Sequence, residues 1–247
     1  MEEKRVAIVT GAGKGIGRAI AVALARDGIL PVIFDIDPVT GAEAVEEVEA
    51  AGGKSRFFKV DVSNVANIEA AVNEVEQIYG RIDILVNNAG ILSTAWPDNI
   101  TEAEWDRVMD INLKGIIFMI KYTLPAILRS PAGRVISISS NAGRGGGIGS
   151  GIAYSASKAA ILGVMRSLAR KYAHSGTTFN VVAPGPTSSD IVKGYTEEEF
   201  AKVTASIPVG RFGTPEEIAS AVVYFASEAA GFATGATLDV NGGIYIG

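Results

Sequence analysis

Apolar residues fall along this chain in two alternating textures. Short, nearly unbroken runs rich in β-branched residues occupy 6–10, 31–34, 55–60, 82–87, 134–139, 178–183 and 237–240. Between them lie longer, Ala-rich stretches in which apolar positions recur every three or four residues, at 16–27, 39–51, 65–79, 102–128, 153–173, 197–205 and 215–226. Runs without polar alternation suit strands buried on both faces, as in a parallel sheet, and the longer period suits helices with one packed face. Strand and helix repeating at this spacing predict right-handed crossovers and an α/β fold: a Rossmann-type doubly wound sheet of about seven parallel strands, with helices on both faces. No linker, repeat or low-complexity stretch interrupts the alternation, so residues 1–247 read as a single domain.

Three helix starts carry chemical marks. Thr101 with Glu104, Thr196 with Glu199 and Thr214 with Glu217 each fit a capping box, and Pro215 suits a first helical position.

Composition narrows the function classes. The net charge is −5 and no Lys/Arg-rich run occurs, which disfavours a nucleic-acid role. There is no Cys, so disulfides, Cys-ligated zinc and thiol catalysis are excluded together. With one His, His174, near a helix end, metal catalysis has no support, and the metal-site expectation is none. The charged start Met1-Glu2-Glu3-Lys4-Arg5 precedes an apolar run of about five residues, too short for a signal peptide. The most apolar later stretch, 115–120, is cut off by Lys121. The chain reads as cytoplasmic.

The segment Thr10-Gly11-Ala12-Gly13-Lys14-Gly15-Ile16-Gly17 leaves the first strand and opens the first helix. Backbone can approach a pyrophosphate closely only where side chains are absent, and a helix N-terminus offers free N–H groups to it. Gly11, Lys14, Gly15, Ile16 and Gly17 are therefore expected at a dinucleotide. Alone, such a loop could be a plain Gly-rich turn. Asp35 adds weight: it lies eighteen residues after Gly17, at the end of the second strand, where a carboxylate can accept hydrogen bonds from adenosine ribose hydroxyls. It would repel a 2′-phosphate, so NAD is expected over NADP. Lys14 opposes that, since a cation in the loop could assist a 2′-phosphate.

Further along come Asp61, then Asn87-Asn88-Ala89-Gly90, Asn112, Ser139-Ser140, Tyr154-Ser155-Ala156-Ser157-Lys158, Pro184-Gly185 and Asn241-Gly242-Gly243. In this order and spacing the chain resembles the short-chain dehydrogenase/reductase family along essentially its whole length. The resemblance implies that Asp61 and Val62 hold the adenine edge, with Asp35 and Ile36 beside the ribose. It implies that Asn88, Ala89 and Gly90 pass beside the central cofactor and that Lys158 binds the nicotinamide ribose. Pro184, Gly185, Thr187 and Ser189 would flank the nicotinamide. Ser189 stands where the family often has Thr, and the interval from Ser140 to Tyr154 is one residue longer than usual. A homotetramer is also implied, built from the long helices and the C-terminal helix and strand. The C-terminal stretch from Val209 to Tyr245 resembles the 3-oxoacyl carrier-protein reductases within the family.

The residue types suggest a mechanism. Tyr154 is the expected acid/base; Lys158, one turn later on the same helix face, would favour the phenolate together with the positive nicotinamide ring of the oxidised cofactor. Ser140 would hydrogen-bond the substrate oxygen, so Ser140 and Tyr154 are the expected substrate contacts. Asn112, by resemblance, would hold a helix kink and a water. These features predict an NAD(H)-dependent oxidoreductase of secondary alcohols and ketones. An NADPH-dependent 3-oxoacyl-[acyl-carrier-protein] reductase is the alternative, although Arg129 and Arg134 are thin evidence of a basic face for an acidic carrier. A catalytically silent dinucleotide-sensing module is a remote third reading, disfavoured because all four catalytic side chains are present. The substrate, a small alcohol, ketone or acyl thioester, would be lined by 91–96, 141–151 and 186–195, with Trp96, Arg144, Asp190 and Lys193 as the shape-defining exceptions. A lid is expected around 186–206.

Overall fold

In a computed structural model of the chain, residues 4–147, 149–188 and 196–247 are described. Seven strands form one parallel sheet: β1 (Val6–Thr10), β2 (Leu30–Asp35), β3 (Arg56–Lys59), β4 (Ile84–Asn87), β5 (Arg134–Ile138), β6 (Thr178–Pro184) and β7 (Thr237–Val240). Their order is β3-β2-β1-β4-β5-β6-β7. The direction of strand addition reverses between β1 and β4, and crevices at the carboxyl ends of strands open at such a reversal.

Alternation along each strand feeds two separate cores. Val6 and Ile8 of β1 join the layer containing Ile68, Val72, Met119, Ile161 and Met165, while Ala7 and Val9 face Ile20, Leu24, Val48, Ile218 and Phe225. The first layer is built by α3 (Val65–Tyr79), α5 (Gly115–Ile127) and α7 (Ile152–Tyr172). The second is built by α1 (Gly15–Arg26), α2 (Pro38–Ala50) and α9 (Pro215–Ala226). Burial on both faces explains why the five inner strands carry almost no polar alternation, while the edge strands β3 and β7 are partly exposed.

The expected helix over 102–128 is divided. It runs as α4 (Glu102–Met109), a π-helical turn (Asp110–Lys114) and then α5. Gly115 follows the turn because a Cβ there would lie 2.6 Å from the Val62 carbonyl oxygen. A short helix that the hydrophobic pattern does not announce, α6 (Asn141–Gly145), follows β5, and α8 (Glu197–Ser206) precedes α9. The capping boxes at Thr196 and Thr214 are complete. That at Thr101 is half formed: Thr101 accepts from the Glu104 amide, but the Glu104 carboxylate instead takes a 2.6 Å hydrogen bond from Ser93. Glu104 thereby ties α4 to the 91–96 segment rather than to its own N-terminus.

The foot of the sheet is held by charge. Asp83 is fully buried, accepting from the Val6 amide, Ser130 and Arg81, the last through two 2.8 Å contacts. Burial would push its carboxyl up, but these hydrogen bonds and the Arg81 charge outweigh it and hold the group below its ordinary value. Arg5 and the buried Arg134 donate to the Ala226 and Ser227 carbonyls at the C-terminus of α9. Two guanidiniums thus satisfy acceptors that the end of the helix leaves open.

Candidate active site

The expected site residues gather at the carboxyl edge of the sheet. The glycine loop leaves β1, Asn88 leaves β4, Ser140 follows β5 and Gly185 follows β6. Side chains inside the protein set the loop's shape. Thr10 Oγ1 accepts from the amides of Asn88 (3.0 Å) and Ala89 (3.1 Å), while Asn88 Nδ2 donates to the carbonyls of Thr10 (3.0 Å) and Gly11 (2.9 Å). The Asn88 amide is therefore a staple between two strand ends, and what it presents to a ligand is backbone. Gly17 is required sterically: a Cβ there would lie 2.1 Å from the Gly11 carbonyl oxygen. Gly11 and Gly15 have φ of 60° and 56°, a region other residues rarely enter. No side chain caps α1, so its first-turn amides stay open towards the crevice.

Asp35 does more than face the crevice. Its Oδ2 accepts from the Gly13 amide at 2.7 Å, and its Oδ1 accepts from the Asp37 amide at 3.1 Å. Ile36 beside it is exposed, as is Lys14. Asp61 accepts through Oδ1 from both the amide and hydroxyl of Ser63, which fixes the turn carrying Val62.

On the other side of the crevice, α7 brings Tyr154 and Lys158 to one face. Lys158 is buried, and its Nζ donates to the Ile138 carbonyl at 2.9 Å and sits 5.7 Å from the Tyr154 ring centre. Burial lowers the Lys158 ammonium from 10.5 to about 8. Burial pushes the Tyr154 phenol above its ordinary value, and a hydrogen bond with Ser140 acts the other way. In the protein alone desolvation dominates at the phenol; the expected depression is a joint effect of Lys158 and the positive nicotinamide. Ser140 caps α6 by accepting from the Ala142 amide at 3.1 Å, so one hydroxyl shapes the wall of the site and reaches the phenol. Gly143 is packed so closely on α7 that a Cβ would lie 2.6 Å from the Lys158 carbonyl carbon.

Asn112 is fully buried in the π-helical turn. Its side chain grips both backbone groups of Ile91 and also donates to Ser157, whose hydroxyl returns to the Tyr154 carbonyl. A Cβ at Gly90 would lie 3.2 Å from Asn112 Oδ1 and 3.4 Å from Lys158 Nζ, so the chain passes between these two groups without a side chain. Thr187 is buried, and its hydroxyl donates to the Gly185 carbonyl. A Cβ on Gly185 would collide with the Asn241 backbone, which explains the glycine after Pro184. Ser189, Asp190 and Lys193, with the part of the expected lid at 189–195, lie outside the described residues.

The 91–96 segment lines, through Ile91, Leu92 and Ser93, a cavity of about 340 Å³ shared with Ala103, Glu104, Arg107 and Val108. Arg144 does not point into a substrate space. It pairs with Asp239 through two 3.1 Å contacts and lies 4.7 Å from the Tyr245 ring centre, tying α6 to the C-terminal segment.

The family model described as Enoyl-(Acyl carrier protein) reductase matches residues 11–245. The chain is 38% identical to the 3-oxoacyl-[acyl-carrier-protein] reductase FabG of Escherichia coli, over 99% of this chain and 98% of that one. It is 39% identical to the FabG of Staphylococcus aureus, with both chains covered completely. Among solved structures, one from Burkholderia xenovorans described as a short-chain dehydrogenase/reductase superposes with a TM-score of 0.93 at 34% identity, over 97% of this chain and 96% of that one. The crystal structure of gox2181 gives 0.94, also at 34% identity, over 98% and 96%.

The chain belongs to the short-chain dehydrogenase/reductase family. It is an oxidoreductase of CH–OH and keto groups that works with a nicotinamide cofactor. Three groups in this family member escaped reading from the sequence. Thr10 and Ser157 act only through backbone and Asn partners, which no spacing reveals. Arg18 donates through Nε to the Gly13 carbonyl at 2.7 Å and meets Glu43 and Glu47 of α2. The one signal for it was the i,i+4 placing of the two glutamates on a single helix face.

Proposed function

We propose that this chain interconverts a 3-oxoacyl thioester and the 3-hydroxyacyl thioester by hydride exchange with NAD(H). Asn112, Ser140, Tyr154 and Lys158 serve as its catalytic set. The observation that carries this reading is the convergence of the Tyr154 phenol, Ser140 hydroxyl and Lys158 ammonium beside side-chain-free backbone at Gly90. The names of full-length relatives favour the thioester over other ketones, and so back the carrier-protein reductase alternative more strongly than a general alcohol dehydrogenase.

A dinucleotide suits the crevice on the evidence of its lining: glycines where a Cβ would collide, open first-turn amides on α1 and a carboxylate at the end of β2. When bound, it supplies the hydride or accepts it. Gly11, Gly15, Ile16 and Gly17 would meet its phosphates, Asp35 and Ile36 its adenosine ribose, and Asp61 and Val62 its adenine. Ala89, Gly90, Lys158, Pro184, Gly185, Thr187 and Ser189 would line the remainder.

In the reductive direction the protonated Tyr154 phenol would deliver its proton to the ketone oxygen. Ser140 steadies that oxygen as it gains charge. Lys158, at about 8, is mostly protonated at neutral pH and can return a proton to Tyr154.

Cofactor choice and acyl carrier are separate matters. Asp35 places a negative charge where a 2′-phosphate would sit, which supports NAD(H). Arg129 is paired with Glu76 and Arg134 is buried, so neither offers a free basic face to an acidic carrier protein. That favours, as a second reading, a substrate carried without such a protein, such as a coenzyme A thioester or a simple secondary alcohol. A homotetramer is part of the proposal. Tyr224 and the wholly exposed Phe232 near α9 and β7, and Trp105 and Ile117 on α4 and α5, are its apolar contact surfaces. Among the described residues no helix is long and apolar enough to cross a membrane, and we place the enzyme in the cytoplasm.

The test is a panel of 3-oxoacyl thioesters on carrier protein and on coenzyme A, with simple ketones, each assayed with NADH and with NADPH. Faster turnover of a 3-oxoacyl thioester with NADH supports the reading. Turnover confined to simple ketones removes the substrate, and a clear NADPH preference removes the cofactor.

A further inference from the structure

The adenosine corner contains a guanidinium held through Nε and Nη2. Arg18, one turn into α1, donates through Nε to the Gly13 carbonyl at 2.7 Å and through Nη2 to that same oxygen and to the Thr40 carbonyl. Nη2 also meets Glu43 Oε2 at 2.8 Å, and Nη1 lies 3.6 Å from Glu47 Oε2. The peptide units at Gly13 are therefore held from both sides, with the amide bound to Asp35 and the carbonyl bound to Arg18. There is no slack in this contact. A Cβ at Gly13 would lie 2.5 Å from Thr40 Oγ1 and 2.7 Å from Asp35 Oδ2.

A guanidinium this close to the ribose-binding carboxylate would ordinarily attract a phosphate, which it matches in a bidentate fork. Here two carboxylates on consecutive turns of α2 face it, Glu43 hydrogen-bonded to Nη2 and Glu47 in an ion pair with Nη1, and they offset its charge. Resting on the NAD(H) reading above, we propose that Glu43 and Glu47 are specificity-determining residues: by holding Arg18 against the glycine loop, they withhold one of the two cations, Arg18 and the exposed Lys14, that a 2′-phosphate could meet. Selectivity then has two layers. Asp35 repels the phosphate directly, and the α2 pair removes a compensating attraction, so that discrimination is built as much by withheld contacts as by made ones.

This predicts that an NADP-like ligand gains affinity when charge is removed at a distance from Asp35. Calorimetric titration with adenosine 5′-monophosphate and adenosine 2′,5′-bisphosphate reads it without turnover. The proteins compared are wild type, the Glu43→Gln/Glu47→Gln double variant, and that double variant carrying Arg18→Met. In the double variant the bisphosphate should bind at least tenfold more tightly, while the monophosphate Kd moves threefold or less. Adding Arg18→Met should return the bisphosphate towards its wild-type affinity, since coupling between contacting groups is read from such cycles. An unchanged bisphosphate Kd in the double variant, beside a wild type that discriminates, overturns this inference alone. So does a gain that persists without Arg18, or a loss of monophosphate binding, which would make the pair merely a brace for the loop. A wild type that binds both nucleotides equally removes the NAD(H) reading, and this inference with it.

Discussion

The side chain of Asn112 holds Ile91 by both ends of its backbone, donating to the carbonyl at 2.9 Å and accepting from the amide at 2.8 Å. It reaches Ile91 from inside a π-helical turn, where one extra residue has been accommodated between α4 and α5. The helix is thus distorted to pin the segment that follows Gly90, directly beside Lys158.

Asn112→Leu keeps the volume and removes the grip. Each buried backbone group left without its partner costs about 1–3 kcal/mol. Urea denaturation should show a loss of that order or up to twice it, and kcat should fall further than KM rises, because the Ile91 segment borders the reacting groups. A variant of wild-type stability would show that water replaces the amide without cost.

Lys158 gives a pH signature. Its folded value, about 8, lies below its ordinary 10.5, so between these values the unfolded chain binds more protons and stability rises with pH. Below about 8 the protein bears the full cost of a buried ammonium. Lys158→Met has no group to titrate there. The difference in Tm, wild type minus variant, should therefore increase between about pH 7 and pH 10. A difference that is flat, or that falls with pH, would mean the ammonium is not desolvated.

At the foot of the sheet the slope has the same sign, in an acidic window. The Asp83 carboxyl is held below its ordinary value, so it stabilises the fold above the unfolded value and loses that contribution as pH falls through the folded one. Asp83→Asn removes the buried carboxylate that Arg81, Ser130 and the Val6 amide all meet and should cost about 3–5 kcal/mol, measured by chemical denaturation. A much smaller loss would show that solvent reaches this cluster.

Arg144 ties α6 to β7 through Asp239, and α6 begins at the Ser140 cap. Asp239→Asn should loosen that wall and raise KM for the ketone several-fold, with NADH affinity nearly unchanged. An unchanged KM would make the pair a purely structural link.

Much of this architecture was legible in the sequence, because β-branched runs and Ala-rich periods report burial directly. All seven expected strands form, within two residues at each end, and both Gly17 and Asp35 stand where the loop spacing put them. What was hidden depends on pairs distant in sequence. The break at Asp110–Lys114 lies where the resemblance put a kink at Asn112, but the fastening to Ile91 and Ser157 that holds it is foretold by no helical period. Glu104 fits a capping box by spacing, yet Ser93 outcompetes the helix end for its carboxylate. Arg144 was read as part of the pocket wall because only its neighbours in sequence were visible, not Asp239. The spacing of Tyr154 and Lys158 gives their proximity, whereas the burial that raises the phenol in the protein alone belongs to the whole fold.

The most direct test of the account is Tyr154→Phe, assayed for ketone reduction alongside NADH binding by fluorescence. Losing a positioned proton donor should lower kcat at least a hundredfold while the cofactor Kd stays within a few-fold of wild type. Turnover near the wild-type rate, with NADH bound normally, would show that the proton comes from another group and would contradict the central claim.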